Sequence, residues 1–161
     1  MLDQLAAEHP GYGWYFVYTR EAHPGEHRTA HAGSDEKLTA ARRLRDEIGI
    51  TRPILVDDLE GTVHRAYGLL PNMSWVLDRG GTILYKAEWT SAARVGEFLD
   101  QREAGSSGTA SGTFYAELQA PVARDRASFQ RGLERNGPRA VTEFARAEEI
   151  WTERARAARR R

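Results

Sequence analysis

The chain has 161 residues, 40% of them hydrophobic and 29% charged, with 23 basic and 23 acidic side chains and a net charge of zero. Such a length fits one domain with an appendage. No stretch approaches the roughly 18 apolar residues of a bilayer helix, and residues 1–25 lack the basic start and apolar core of a signal peptide, so a cytoplasmic protein with no membrane partner is expected. Cysteine is absent, which excludes disulfide frameworks, thiolate zinc sites and a cysteine nucleophile within these residues. Charge is unevenly spread: 12 basic against 17 acidic side chains over residues 1–120, and 11 against 6 over residues 121–161. The basic end, closing on Arg159-Arg160-Arg161, reads as a solvated helix face; attraction to phosphates or an acidic partner is the other reading.

Leu2, Leu5 and Ala6 have helical spacing and stop at Pro10-Gly11. Trp14-Tyr15-Phe16-Val17-Tyr18 is a continuous aromatic and β-branched run, the pattern of a buried strand. A polar loop, Ala22 to Gly33, follows with three histidines. Ser34 is placed to cap a helix with Asp35 and Glu36 in its first turn, where carboxylates meet the positive end of the helix dipole. Leu38, Ala41, Leu44 and Ile48 then repeat at helical spacing up to Gly49, a left-handed stop.

Pro53-Ile54-Leu55-Val56 reads as a short strand of the kind buried in a parallel sheet. It runs into Asp57-Asp58, where a ligand site or a cap for the next helix is expected, the cap being the commoner outcome. A helix from about Glu60 to Tyr67 stops at Gly68. Ser74–Leu77 and Thr82–Lys86, joined through Asp78-Arg79-Gly80-Gly81, form an antiparallel hairpin. A helix over Ala92–Arg102 packs Val95, Phe98 and Leu99. The order α-β-α-β-α-β-β-α predicts a three-layer α/β sandwich with one mixed sheet over residues 1–103. Residues 104–120, opening on a Gly/Ser-rich run, read as a flexible linker. Residues 121–161 form a helical extension with helices at about Arg124–Arg135 and Pro138–Ala158. The second helix carries an apolar stripe of Val141, Phe144, Ala147, Trp151 and Ala155, expected to dock on the domain or on a second subunit.

Tyr18-Thr19-Arg20-Glu21-Ala22-His23-Pro24 resembles the Tyr-x-x-Glu-Ala-His segment of the iodothyronine deiodinases. His31 ahead of the Asp-Glu-x-Leu-x-Ala-Ala-Arg helix, the Pro53-Ile-Leu-Val-Asp-Asp strand and Leu84-Tyr85-Lys86 follow in that family's order. The resemblance covers roughly residues 1–100. It implies a thioredoxin-like fold, Pro71 at the position of that fold's cis proline facing the active site, and often a homodimer. It also implies that Tyr18, Glu21, His23 and His31 lie in or near a site for proton delivery and substrate contact. In that family a selenocysteine or cysteine on the loop after the first strand attacks the substrate halogen. That strand and loop would precede Met1, so two readings stand: a natural start upstream with the missing Cys or Sec, or a scaffold that keeps proton transfer and lacks the redox centre.

Glu21 and His23 are two apart, so in extended backbone they share a face; with His31 they form a candidate acid–base group beside Pro71, because imidazole titrates near neutral pH and a carboxylate orients it. The other reading is a polar strand end with solvated histidines. His23, His27 and His31, four apart with Glu21 and Glu26 nearby, invite a metal site that Pro24-Gly25 makes hard to build on a helix. Trp14, Tyr15, Tyr67 and Trp75 are candidate walls for a small, aromatic ligand, Tyr67 and Trp75 with Pro71 being the expected substrate-binding set. No phosphate loop, nucleophile elbow, dinucleotide fingerprint or nucleic-acid module occurs, so neither a cofactor nor a nucleic-acid partner is expected. The expected function is acid–base chemistry on a small molecule; the alternative is a non-catalytic assembly protein using the fold and its helical tail as a dimer surface.

Overall fold

The aromatic run after Gly13 settles into a strand only over Phe16–Tyr18 (β1), which pairs in parallel with Ile54–Val56 (β2), Phe16 opposite Ile54 and Tyr18 opposite Val56. The structure, a computed structural model, describes residues 2–68, 70–105, 115–117 and 126–158, with backbone alone at 115–117, 155 and 158. Ahead of β1 lies the helix Leu2–Glu8 (α1), and between the strands lies Ser34–Ile48 (α2), ended by Gly49 in the left-handed conformation. Gly33, not Ser34, is the N-cap of α2, and Glu36 reaches back to accept the Ala32 N–H. The buried face of α2 is Lys37, Ala40 and Ala41. Leu38 and Ile48 of the expected stripe stay exposed, because β1 and β2 are short and leave the ends of α2 nothing apolar to cover.

The short helix Thr62–Ala66 (α3) follows β2, and the hairpin Ser74–Leu77 (β3) and Ile83–Ala87 (β4) follows α3 as expected. The helix Ala92–Glu103 (α4) lies across it. Tyr85, Ala87, Val95 and Leu99 join Leu5 of α1 in one core cluster, with Tyr85 and Leu99 fully buried. Leu5, Val95 and Leu99 each contribute about 1.5–3 kcal/mol on burial, so this cluster is what holds α1 to α4 and the hairpin. Tyr18, Ala40 and Ala41 form a second cluster with Phe16, Leu44, Ile54 and Val56 packed on it.

Two expectations need correction. The strands form two separate hydrogen-bonded sheets, β1-β2 and a three-stranded one, in place of a single mixed sheet. The third strand of the latter is Tyr115–Glu117 (β5), parallel to β4, inside the stretch expected to be linker. A Tyr-Ala-Glu segment is too short to show a period of two, and only the open edge of β4 selects it as a strand. Residues 106–114 and 118–120 of that stretch, like residues 121–125 at the start of the extension and Arg159–Arg161, lie outside the described residues.

The extension folds as a helical hairpin of Arg126–Asn136 (α5) and Pro138–Ala158 (α6), with Leu133 and Ala140 buried where the two meet. Gly137 turns between them at φ 111°, a conformation that glycine reaches at least cost. The hairpin packs against the loop at residues 21–27 of its own chain. Along the stripe on α6, Val141, Phe144 and Ala147 are half-buried and Trp151 is exposed; the Ala155 side chain lies outside the described residues. No described helix is long and apolar enough to cross a membrane.

Candidate active site

At the end of β1 the Tyr18 carbonyl accepts the Asp57 N–H, which holds the C-terminal ends of β1 and β2 together. Beyond that point residues 19–33 form neither helix nor strand. The loop returns His31 to the Tyr18 side chain, which is only 6% exposed. The phenol oxygen lies 3.0 Å from His31 Nε2 and 3.4 Å from Glu21 Oε2. Burial first, and then the Glu21 charge, push the Tyr18 hydroxyl up to about 12, so it stays protonated at neutral pH. With one proton to give, Tyr18 either donates to His31 Nε2 or donates to Glu21 and accepts from His31 Nε2–H. The two arrangements differ in the imidazole tautomer, which makes the trio a short path for moving a proton.

Glu21 is held from its other oxygen as well. Asn136, at the end of α5 and 6% exposed, donates from Nδ2 to Glu21 Oε1 at 3.0 Å and to the His23 carbonyl at 2.6 Å. The Asn136 carbonyl in turn accepts the His27 N–H at 3.0 Å. This fit depends on glycine at position 25, where a Cβ would collide with the Asn136 backbone. Glu26 accepts the Arg139 N–H at the start of α6 from both carboxylate oxygens.

His23 goes elsewhere. Its ring stands edge-on to Phe129 and Phe144, with centroids 5.5 Å and 5.3 Å away, and those two rings meet edge to face at 4.8 Å. Burial lowers its pKa and the Glu21 charge opposes only part of that shift, so the ring is neutral at neutral pH and serves as packing. The shared face with Glu21 expected from extended backbone does not form, since the strand stops at Tyr18 and aromatic rings of the extension capture the imidazole.

Glu21 and His31 line an open cleft of about 360 Å³, together with Thr19, Arg20, Lys37 and Leu59. Tyr18 does not line it and acts as a positioning residue behind the other two. Among the described residues His31 is the one aromatic ring that faces the cleft. Pro71, Tyr67 and Trp75, expected as substrate contacts, lie apart from it. Among the described residues no peptide bond is cis, so Leu70–Pro71 is trans. Tyr67 meets Trp75 edge-on at 5.1 Å, Lys86 Nζ sits 4.7 Å over the Trp75 ring, and the indole Nε1 is buried with no hydrogen-bond partner among the described residues.

Among the described residues no group of His, Asp and Glu is placed to hold a metal ion. His23 is enclosed by rings, His31 is on Tyr18 and His27 is exposed, so the four-residue spacing does not converge. Asp57 and Asp58 cap α3: Asp57 accepts the N–H groups of Asp58, Val63 and His64, and Asp58 accepts that of Thr62. Burial alone would raise the Asp57 carboxyl, yet these donors hold it below the ordinary carboxylate range.

Three residues near the site escaped the sequence reading. Asn136 is distant in sequence and carries no motif. Arg20 lies inside the quoted segment but was assigned no part. Lys37 was hidden by its place among the charges opening α2, although it is one of only two lysines in the chain. Compared with known proteins, the chain matches no family model, no curated protein and no solved structure.

Proposed function

We propose that this protein is a proton-transfer enzyme acting on a small molecule bound in the cleft beside Glu21 and His31, on a scaffold related to the deiodinase-like redoxins. The observation that carries the reading is one neutral, buried phenol, Tyr18, holding a carboxylate and an imidazole that both line an open cavity. A base takes a proton from the substrate and an acid returns one to another atom, as in isomerisation or elimination. Such chemistry needs no electron donor, which suits a chain without cysteine. The order Tyr18, Glu21, His31 supports the kinship, since these residues meet in space as well as matching the segment.

The test is hydrogen–deuterium exchange at carbon, followed by proton NMR, across a panel of small keto and hydroxy acids incubated with the full chain in D₂O. Catalysed loss of a C–H signal that disappears in His31→Ala is the expected result. No catalysed exchange across the panel, or equal exchange in His31→Ala, overturns the reading.

One observation favours a second reading, assembly. Among the described residues β1-β2 is covered by α2 on one face only; Val17 and Leu55 point out of the other, 51% of Leu55 is exposed, and Tyr15 beside them is 62% exposed. Parallel strands are ordinarily buried on both faces. Sedimentation of the wild type and of Leu55→Asp separates the two readings, because a homodimer built on this face dissociates in the variant.

A further inference from the structure

Lys37 is 2% exposed, sits in the first turn of α2 and lines the cleft. Its Nζ donates to the Asp58 carbonyl, and among the described residues no carboxylate oxygen comes within 4.0 Å of it. The side chains of Asp58, whose carbonyl it meets, and of Asp57 are engaged elsewhere: they hold the N–H groups that open α3. An ammonium has donors beyond the one that a single carbonyl accepts. A buried cation is tolerated when a counter-charge satisfies it. Arg20 lines the same cleft, is exposed, and has no carboxylate partner among the described residues. Against these two cations the described residues lining the cleft present one carboxylate, Glu21, which is already held by Asn136 and Tyr18. The wall therefore carries an excess positive charge with hydrogen-bonding capacity left over.

We infer that the cleft is built for a small oxyanion, a carboxylate or phosphate group seated on Lys37 and Arg20, with the rest of the ligand directed to Glu21 and His31. This deepens the proton-transfer reading by naming the substrate class, and it rests on that reading only for what happens to the ligand once bound. A carboxylate or phosphate next to the reacting carbon would also anchor the molecule while Glu21 and His31 exchange its proton. Glu21 opposes the anion electrostatically, so neutralising it should tighten binding while stopping turnover. A merely structural lysine would not produce that split.

The test is titration of the full chain with malonate and, separately, inorganic phosphate, followed by calorimetry and by amide shifts in ¹⁵N NMR. Saturable binding is expected for at least one, with shifts centred on Thr19, Ala30 and Lys37; which probe binds tells the carboxylate source from the phosphate source. Arg20→Ala weakens it about tenfold and Lys37→Met by more, in keeping with charged hydrogen bonds; Glu21→Gln strengthens it. If Lys37→Met does not fold, Arg20→Ala carries the test, because that side chain is exposed and has no carboxylate partner among the described residues. Absence of saturable binding by both probes, or affinity unchanged in Arg20→Ala, overturns the inference. Anion binding that depends on Arg20 without any catalysed exchange would retire the enzyme reading and keep the site. Catalysed exchange of neutral compounds without anion binding would do the reverse.

Discussion

His23 and His31 sit on the same loop and end in opposite surroundings. His31 faces a cleft and touches a phenol that can pass it a proton, while His23 is clamped by Phe129 and Phe144 under the extension. The difference lies in the neighbours, since the two imidazoles are chemically alike. A side chain with hydrogen-bond partners and access to a ligand can work; one placed against ring edges loses its charge to desolvation and becomes packing. One residue links the halves. Asn136 steadies Glu21 on the open side and ties down the His23 carbonyl on the sealed side.

The sharpest way to break the comparison is at the open half. Glu21→Gln is expected to lower carbon-exchange turnover by about a hundredfold or more, measured by the NMR assay above, while His23→Phe keeps it within a factor of about two. Equal losses in both variants would put the sealed ring back into the chemistry. Next in size is Asn136→Ala, which leaves buried groups on both sides without their donor. It should cost about 1–3 kcal/mol of unfolding free energy in chemical denaturation, and the ring shifts of Phe129 and Phe144 should move with it.

Tyr18→Phe keeps the packing and deletes the hydroxyl. A loss of about 1 kcal/mol is expected, with a fall in turnover smaller than that of Glu21→Gln, because the phenol positions the acid and base without touching substrate. The smallest effect is the pH response of the sealed half. Burial lowers the folded-state pKa of His23 below the unfolded value of about 6.5. The unfolded chain therefore binds more protons in that window, and the contribution of His23 is fully present above pH of about 6.5 and declines as pH falls towards the folded value. Unfolding midpoints between about pH 8 and pH 5 should fall less steeply on the acid side in His23→Phe than in the wild type.

Much of the architecture was legible in local pattern. The left-handed stop at Gly49, the hairpin turn at Asp78–Gly81, Asp57 and Asp58 as caps, and Pro138 opening α6 all follow from the conformational needs of a few adjacent residues. Of the expected set Tyr18, Glu21, His23 and His31, the fold brings Glu21 and His31 within hydrogen-bonding distance of Tyr18 and turns His23 away against Phe129 and Phe144. Register with distant segments was not legible. The exposed Leu38 and Ile48 on α2, the strand at Tyr115–Glu117 and the division into two sheets depend on which surfaces other elements happen to offer.

By itself, then, the sequence determined where helices and turns occur, that cysteine chemistry is unavailable within these residues, and which short segment carries the titratable groups. Those properties are set by backbone preference and composition, and act over a turn or two of chain. Only the tertiary structure decided that Asn136 reaches Glu21 across 115 positions, that the extension seals His23, and that Lys37 is buried at the wall of a cleft. Desolvation and hydrogen bonding depend on the three-dimensional neighbours of a group, and distance along the chain carries no record of them.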